Sequence, residues 1–166
     1  MMLFTKHMVV KLFKRIKMRK IFFVFAAAIG LAAAAGGKYD LQELANPGAC
    51  NNLGLDPRIC DFAGAMSMYV RSMDMYDSYE DRLDRAKRGS REAKDLEGAA
   101  NRALVESAKH ASRACKIWGQ MSSKDQGFIM HSVVYRDASG KVDSIADSSE
   151  DMVELCQTAS GILRAR

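Results

Sequence analysis

The sequence predicts an all-α domain, a small helical bundle built on a long antiparallel helical hairpin and tied by two disulfides. Three observations predict it. Apolar residues recur at three- and four-residue steps along two long stretches, Gly89-Ser90 supplies a stop and a start signal between them, and four cysteines lie in a chain that opens with an export signal.

The export signal comes first in the chain. Arg19-Lys20, the apolar run Ile21–Ala35 and its small-residue end have the three-part layout of a secretory signal peptide. Ala33 and Ala35 place the cut after Ala35. The run is shorter than the roughly 20 residues that span a bilayer, which argues against a retained anchor. The basic stretch 1–17 before it is explained by translation starting at Met18, which gives a signal of ordinary length. The expected organisation is therefore a signal peptide over 1–35, an irregular N-terminal arm over 36–56, and a helical domain over 57–166.

Removing the signal changes the charge arithmetic. The whole chain has 25 Lys+Arg against 20 Asp+Glu, but Lys6, Lys11, Lys14, Arg15, Lys17, Arg19 and Lys20 precede the cut and no acid does. The mature part holds 18 basic and 20 acidic side chains. Its near-neutral balance offers no ground for a nucleic-acid partner. With the apolar run cleaved, no membrane partner is expected.

The arm 36–56 contains Gly, Asn and Pro, with one helical turn expected near Tyr39–Ala45. The first long helix starts at Asp56-Pro57, a good N-cap followed by the residue that fits the first helical position. Ile59, Phe62, Ala63, Met66, Val70, Met73 and Tyr76 form its apolar stripe, and the helix runs to about residue 88. Ser90 caps a second helix over 91–118, whose stripe is Leu96, Ala100, Ala103, Leu104, Ala111, Ala114, Cys115 and Trp118. Alanine dominates it, which allows a neighbouring helix close approach. Gly119–Lys124 reads as a linker, and Asp125 as the cap of a shorter helix over Gln126–Tyr135. Asp137-Ala138-Ser139-Gly140 is a turn. Residues 133–145 fit either a helix ending in that turn or a β-hairpin around it, and the helix is preferred. Ser148 and Asp151 form a capping pattern for the last helix, with Met152, Val153, Cys156, Ala159, Ile162 and Leu163 facing inward.

Cys50, Cys60, Cys115 and Cys156 all follow the cut, and an even number in an exported chain argues for two disulfides. Their spacing contains no CxxC redox pair or zinc half-site. Three pairings are open. Cys60, Arg71, the Ile129…Val133-Val134-Tyr135 segment and the closing Ser148…Glu150…Cys156 helix together resemble a broad group of small exported helical bacterial proteins without assigned function. This chain has Asp74 where that group often carries Gly. The resemblance implies Cys60–Cys156, leaving Cys50–Cys115. It implies no activity.

The chemistry-bearing residues form no catalytic or cofactor pattern. Met66, Met68, Met73 and Met75 make two M-x-M pairs, and His110, His131 and Trp118 are nearby types for a soft-metal site. Residues two apart on a helix point about 200° away from each other, so neither pair chelates from one face. Met66 and Met73 fall on the inward stripe as adaptable filler. Asp74, Asp77, Glu80, Asp81 and Asp84 interleave with Arg82 and Arg85, as on a solvated face laced with i,i+3 and i,i+4 pairs. No GxSxG, HExxH, P-loop or EF-hand spacing occurs. The sequence therefore leads to a noncatalytic binding protein of the cell envelope, periplasmic or secreted, with a protein partner and no metal, cofactor or small molecule. Its expected contact strip is Met68, Tyr69, Met75, Tyr76 and Tyr79, residues flanking the inward stripe. A periplasmic copper carrier using methionine is the rival reading, and a hydrolase assembled from distant residues the third.

Overall fold

The computed structural model describes residues 39–136, 142–146 and 148–165. The expected signal peptide over 1–35 and the expected turn Asp137–Gly140 lie outside the described residues. Six helices and three short strands follow in the order β1 (Tyr39–Asp40), α1 (Leu41–Leu44), α2 (Ala49–Leu53), α3 (Pro57–Arg85), α4 (Arg91–Trp118), α5 (Ser123–Ser132), β2 (Val133–Arg136), β3 (Val142–Ser144) and α6 (Ser149–Arg164). The fold is a small all-α one, and α3 and α4 form its long hairpin.

Local chemistry sets the helix ends. The Asp56 carboxylate accepts from the Arg58 backbone N–H at 2.9 Å, and Pro57 occupies the first turn of α3. Gly89 adopts a φ of 75°, a left-handed turn open to glycine, and Ser90 Oγ then accepts from Ala93 N–H at 3.1 Å to start α4. At α6 the full capping box forms. Ser148 Oγ accepts from Asp151 N–H, while Asp151 accepts from Ser148 N–H at 2.9 Å. The cap of α5 is Ser122 rather than Asp125. Ser122 Oγ accepts from Asp125 N–H at 3.2 Å and donates to its carboxylate at 2.6 Å, which makes Asp125 the third helical residue.

The core lies where α3, α4, α1 and α6 meet. Phe62 is fully buried and its ring lies 5.6 Å from that of Trp118. Ala108, Ala111 and Ala114 on α4 and Ala159 on α6 are fully buried, so the backbones approach closely. Ser107 and Thr158 are buried because each hydroxyl donates back to a carbonyl of its own helix, of Leu104 and Glu154 respectively, at 2.7 Å. On α6 the inward set is Met152, Leu155, Thr158, Ala159 and Ile162. Val153, expected inside, is instead 54% exposed.

The helical turn expected near Tyr39–Ala45 forms as α1, which packs on α3 with Leu41 and Leu44 only 1% exposed. Two expectations are corrected. The helix preferred for 133–135 is a strand. β2 pairs antiparallel with β3 (Tyr135 opposite Asp143) and parallel with β1 (Tyr39 opposite Val133), so backbone partners far apart in sequence end α5 at Ser132. The disulfides are Cys50–Cys60 and Cys115–Cys156, not Cys60–Cys156 and Cys50–Cys115. The reason is packing. Helix α2 lies on α3, bringing the Cα atoms of Cys50 and Cys60 to 5.9 Å, and α6 lies on α4, bringing those of Cys115 and Cys156 to 5.7 Å. Two disulfides and no free cysteine among the described residues belong to an oxidising, non-cytoplasmic environment. No described helix is long and apolar enough to cross a membrane.

Candidate partner-binding surface

The expected contact strip lies on α3, and burial divides it. Met68 and Met75 are 44% and 43% exposed, seven residues and two helical turns apart on one face. Tyr79 continues that face by a further turn and is half-buried against the core. Tyr69 is also half-buried against the core. Tyr76 is only 4% exposed, so it is a core residue and leaves the strip.

The division follows from what covers α3. Its N-terminal half has α1, α2 and α4 against it and buries Ile59, Phe62, Ala63, Ala65 and Met66, which spread over much of its circumference. Beyond Met66 its buried residues are Ser72 and Tyr76, four apart, so the inward direction rotates toward them. A stripe drawn at constant direction through Val70 and Met73 misses this turn, and both of those residues are only half-buried. Burial raises the Tyr76 phenol above the usual tyrosine range, assisted by the Glu80 carboxylate that its hydroxyl faces. Burial likewise raises Tyr69, with Tyr135 adding to the shift.

Methionine thioethers do not converge. Met66 is buried, Met73 is half-buried, and exposed Met68 and Met75 are about 10 Å apart along the helix axis, too far to share an ion. No group of three or more His, Cys, Asp or Glu able to hold a metal occurs among the described residues. His131 is exposed and His110 half-buried on another helix, while Trp118 packs on Phe62 in the core.

A concave feature escaped the sequence reading. A cleft of about 490 Å³ opens beside the Cys50–Cys60 bridge, with Asn46 and Asn51 on one wall, Gly64 on the α3 side and exposed Asp61 and Arg113 at its edge. It depends on α1 and α2 folding back over α3, which no periodic signal in 36–56 announces. Arg58 stiffens the same end of the bundle. Its guanidinium holds the Asp56 carboxylate at 2.7 Å and donates to the Gln120 carbonyl at 2.6 Å, tying the start of α3 to the end of α4. Hydrogen bonding from Arg58 lowers the Asp56 pKa to about 2.

Comparison with protein-family models, with curated proteins and with solved structures finds no match for this chain.

Proposed function

We propose that this chain is an exported, noncatalytic binding protein of the cell envelope, periplasmic or secreted, that captures a protein partner through the Met68–Met75 face of α3. Inhibitor, immunity factor, accessory subunit and chaperone-like protein are the roles that such a surface serves. The observation that carries the reading is the pair of exposed methionines on one helix face, continued by half-buried Tyr79. Methionine is adaptable and apolar, and a domain with so small a core has little reason to leave two of them in water unless a partner covers them. The disulfides support the export half of the reading, as does the Ile21–Ala35 run.

A photo-crosslinking residue placed at Met68 or Met75 in cells tests this. A single cross-linked partner band is expected from either position, and the band from Met68 should be lost when Met75→Glu is added in a chain that keeps its helical circular dichroism. The same yield from a crosslinker at Arg102, on an exposed stretch of α4, removes the proposal. Mass spectrometry of the recovered protein checks export independently, with Gly36 as the expected first residue.

A further inference from the structure

The hairpin reaches past the core. Among the buried core cluster, Tyr76 is the last member on α3 and Ala100 the first on α4. Between them the only buried side chain is Leu96. The remaining nine residues of α3 extend about 13 Å farther at the helical rise.

That projecting end is where the positive charge of the domain collects. From Arg82 to Lys94 the chain carries Arg82, Arg85, Lys87, Arg88, Arg91 and Lys94 against Asp84 and Glu92, a local balance of +4. All eight are exposed. Directly behind the tip, Asp74, Asp77, Glu80 and Asp81 give four acids with no base between them. The near-neutral total of the mature chain therefore hides a charge separation along the hairpin.

The tip cations are not consumed within the fold. The i,i+4 ladder expected here does not form from the basic side. Arg85 donates its Nε to the Asp81 carbonyl at 2.9 Å, and Arg91 reaches the Asp95 carboxylate only at 4.0 Å with both side chains exposed. Arg82, Lys87, Arg88 and Lys94 have no carboxylate within 4 Å among the described residues. Arg91 and Lys94 also stand in the first turn of α4, where the helix dipole disfavours cations, so helix stability does not account for them.

We propose that the hairpin tip docks end-on against an anionic phospholipid surface. The tip lies where two helix ends meet, and its one large apolar side chain is Leu83. It carries no aromatic anchor of the kind that carries protein interfaces. Arginine and lysine spread over two helix ends suit a flat array of phosphates. The acids at 74–81 repel that array if the hairpin lies flat, which selects the upright pose. The disulfides place the protein in an oxidising compartment, where a lipid surface rather than nucleic acid is the standing polyanion. The apolar face at Met68 and Met75 is not used, so either proposal stands without the other.

The test is co-sedimentation with vesicles, using the oxidised protein in the N-terminal form that mass spectrometry finds in cells. Vesicles of phosphatidylcholine alone are compared with vesicles of phosphatidylcholine and phosphatidylglycerol in equal parts. Binding is expected only to the second and should fade as salt is raised. Neutralising Lys87, Arg88, Arg91 and Lys94 to Gln should weaken it about fivefold per residue, several hundred-fold together. Neutralising Arg102, Arg113, Lys116 and Lys124 makes the same change in net charge away from the tip and should preserve most of it. Equal binding to both vesicle types, equal losses in the two variants, or tip-dependent binding to duplex DNA at a salt concentration where vesicles bind none would each overturn the proposal.

Discussion

Removing each disulfide separately tests the pairing and the physical account of it together. In the chain-entropy description a cross-link stabilises by restricting the unfolded chain, more so for a longer loop. Cys115 and Cys156 are separated by 41 residues, which gives about 3.9 kcal/mol, and Cys50 and Cys60 by 10, which gives about 2.7 kcal/mol. The Cys115→Ala/Cys156→Ala variant should therefore lose about 1.2 kcal/mol more than Cys50→Ala/Cys60→Ala. Against a total of about 5–15 kcal/mol for a domain, either loss is large. Urea unfolding followed by fluorescence of Trp118, the single tryptophan, measures both. The dependence on urea should steepen in each variant, because an uncrosslinked chain exposes more surface when it unfolds. The crossed pairing Cys60–Cys156 with Cys50–Cys115 closes two long loops and brings the two bridge values within about 0.4 kcal/mol. In that arrangement each double substitution also breaks both bridges. Equal losses in the two variants would therefore refute the pairing. A larger loss from Cys50→Ala/Cys60→Ala would show instead that the burial of Cys50, only 4% exposed, outweighs loop closure.

Three further outcomes follow from the core and from the titrating groups. Phe62→Ala empties the centre of the bundle against Trp118 and should cost about 3–5 kcal/mol, read as a lower urea midpoint with altered Trp118 emission in the folded state. Asp56 has its pKa lowered from 3.8 to about 2 on folding, so its contribution is present above pH 3.8 and is lost as pH falls toward 2. Asp56→Asn should flatten that part of the stability profile. Tyr69 and Tyr76 are raised above 10, so the folded state loses stability as pH climbs past 10, and Tyr76→Phe should weaken that alkaline loss.

What the sequence revealed is what local chemistry decides. Asp56-Pro57, Ser90 and the Ser148/Asp151 box each mark a helix start with backbone groups a few residues away, and all three form as read. The alanine stripe of α4 was legible because its period is helical, although Ser107 and Ala108 also belong to it. The hidden features depend on distant partners. Val133–Arg136 becomes a strand because Tyr39 and Asp40 come alongside it from the other end of the domain. Cys60 finds Cys50 because α1 and α2 fold back, and Cys156 finds Cys115 because α6 lies on α4 rather than on α3. The same holds for the surface. Exposure of Met68 and Met75 was readable from helical spacing, and burial of Tyr76 from its place on the apolar stripe, but the half-burial of Val70 and Met73 required knowing that the covered face of α3 turns once α1 and α2 end.

The alanines at 108, 111, 114 and 159 leave this bundle with an asymmetric tolerance to mutation. A large side chain at the rim can be exchanged for another of similar volume, since neighbours there can shift. One extra methylene at an alanine has nowhere to go except by prising two helices apart. Over evolutionary time the identities of partly covered residues such as Val105, Ile117 and Leu163 are free to drift, while the rhythm of tiny residues along α4 is held. In distant descendants of this chain, kinship would survive as a spacing rather than as a set of matching letters.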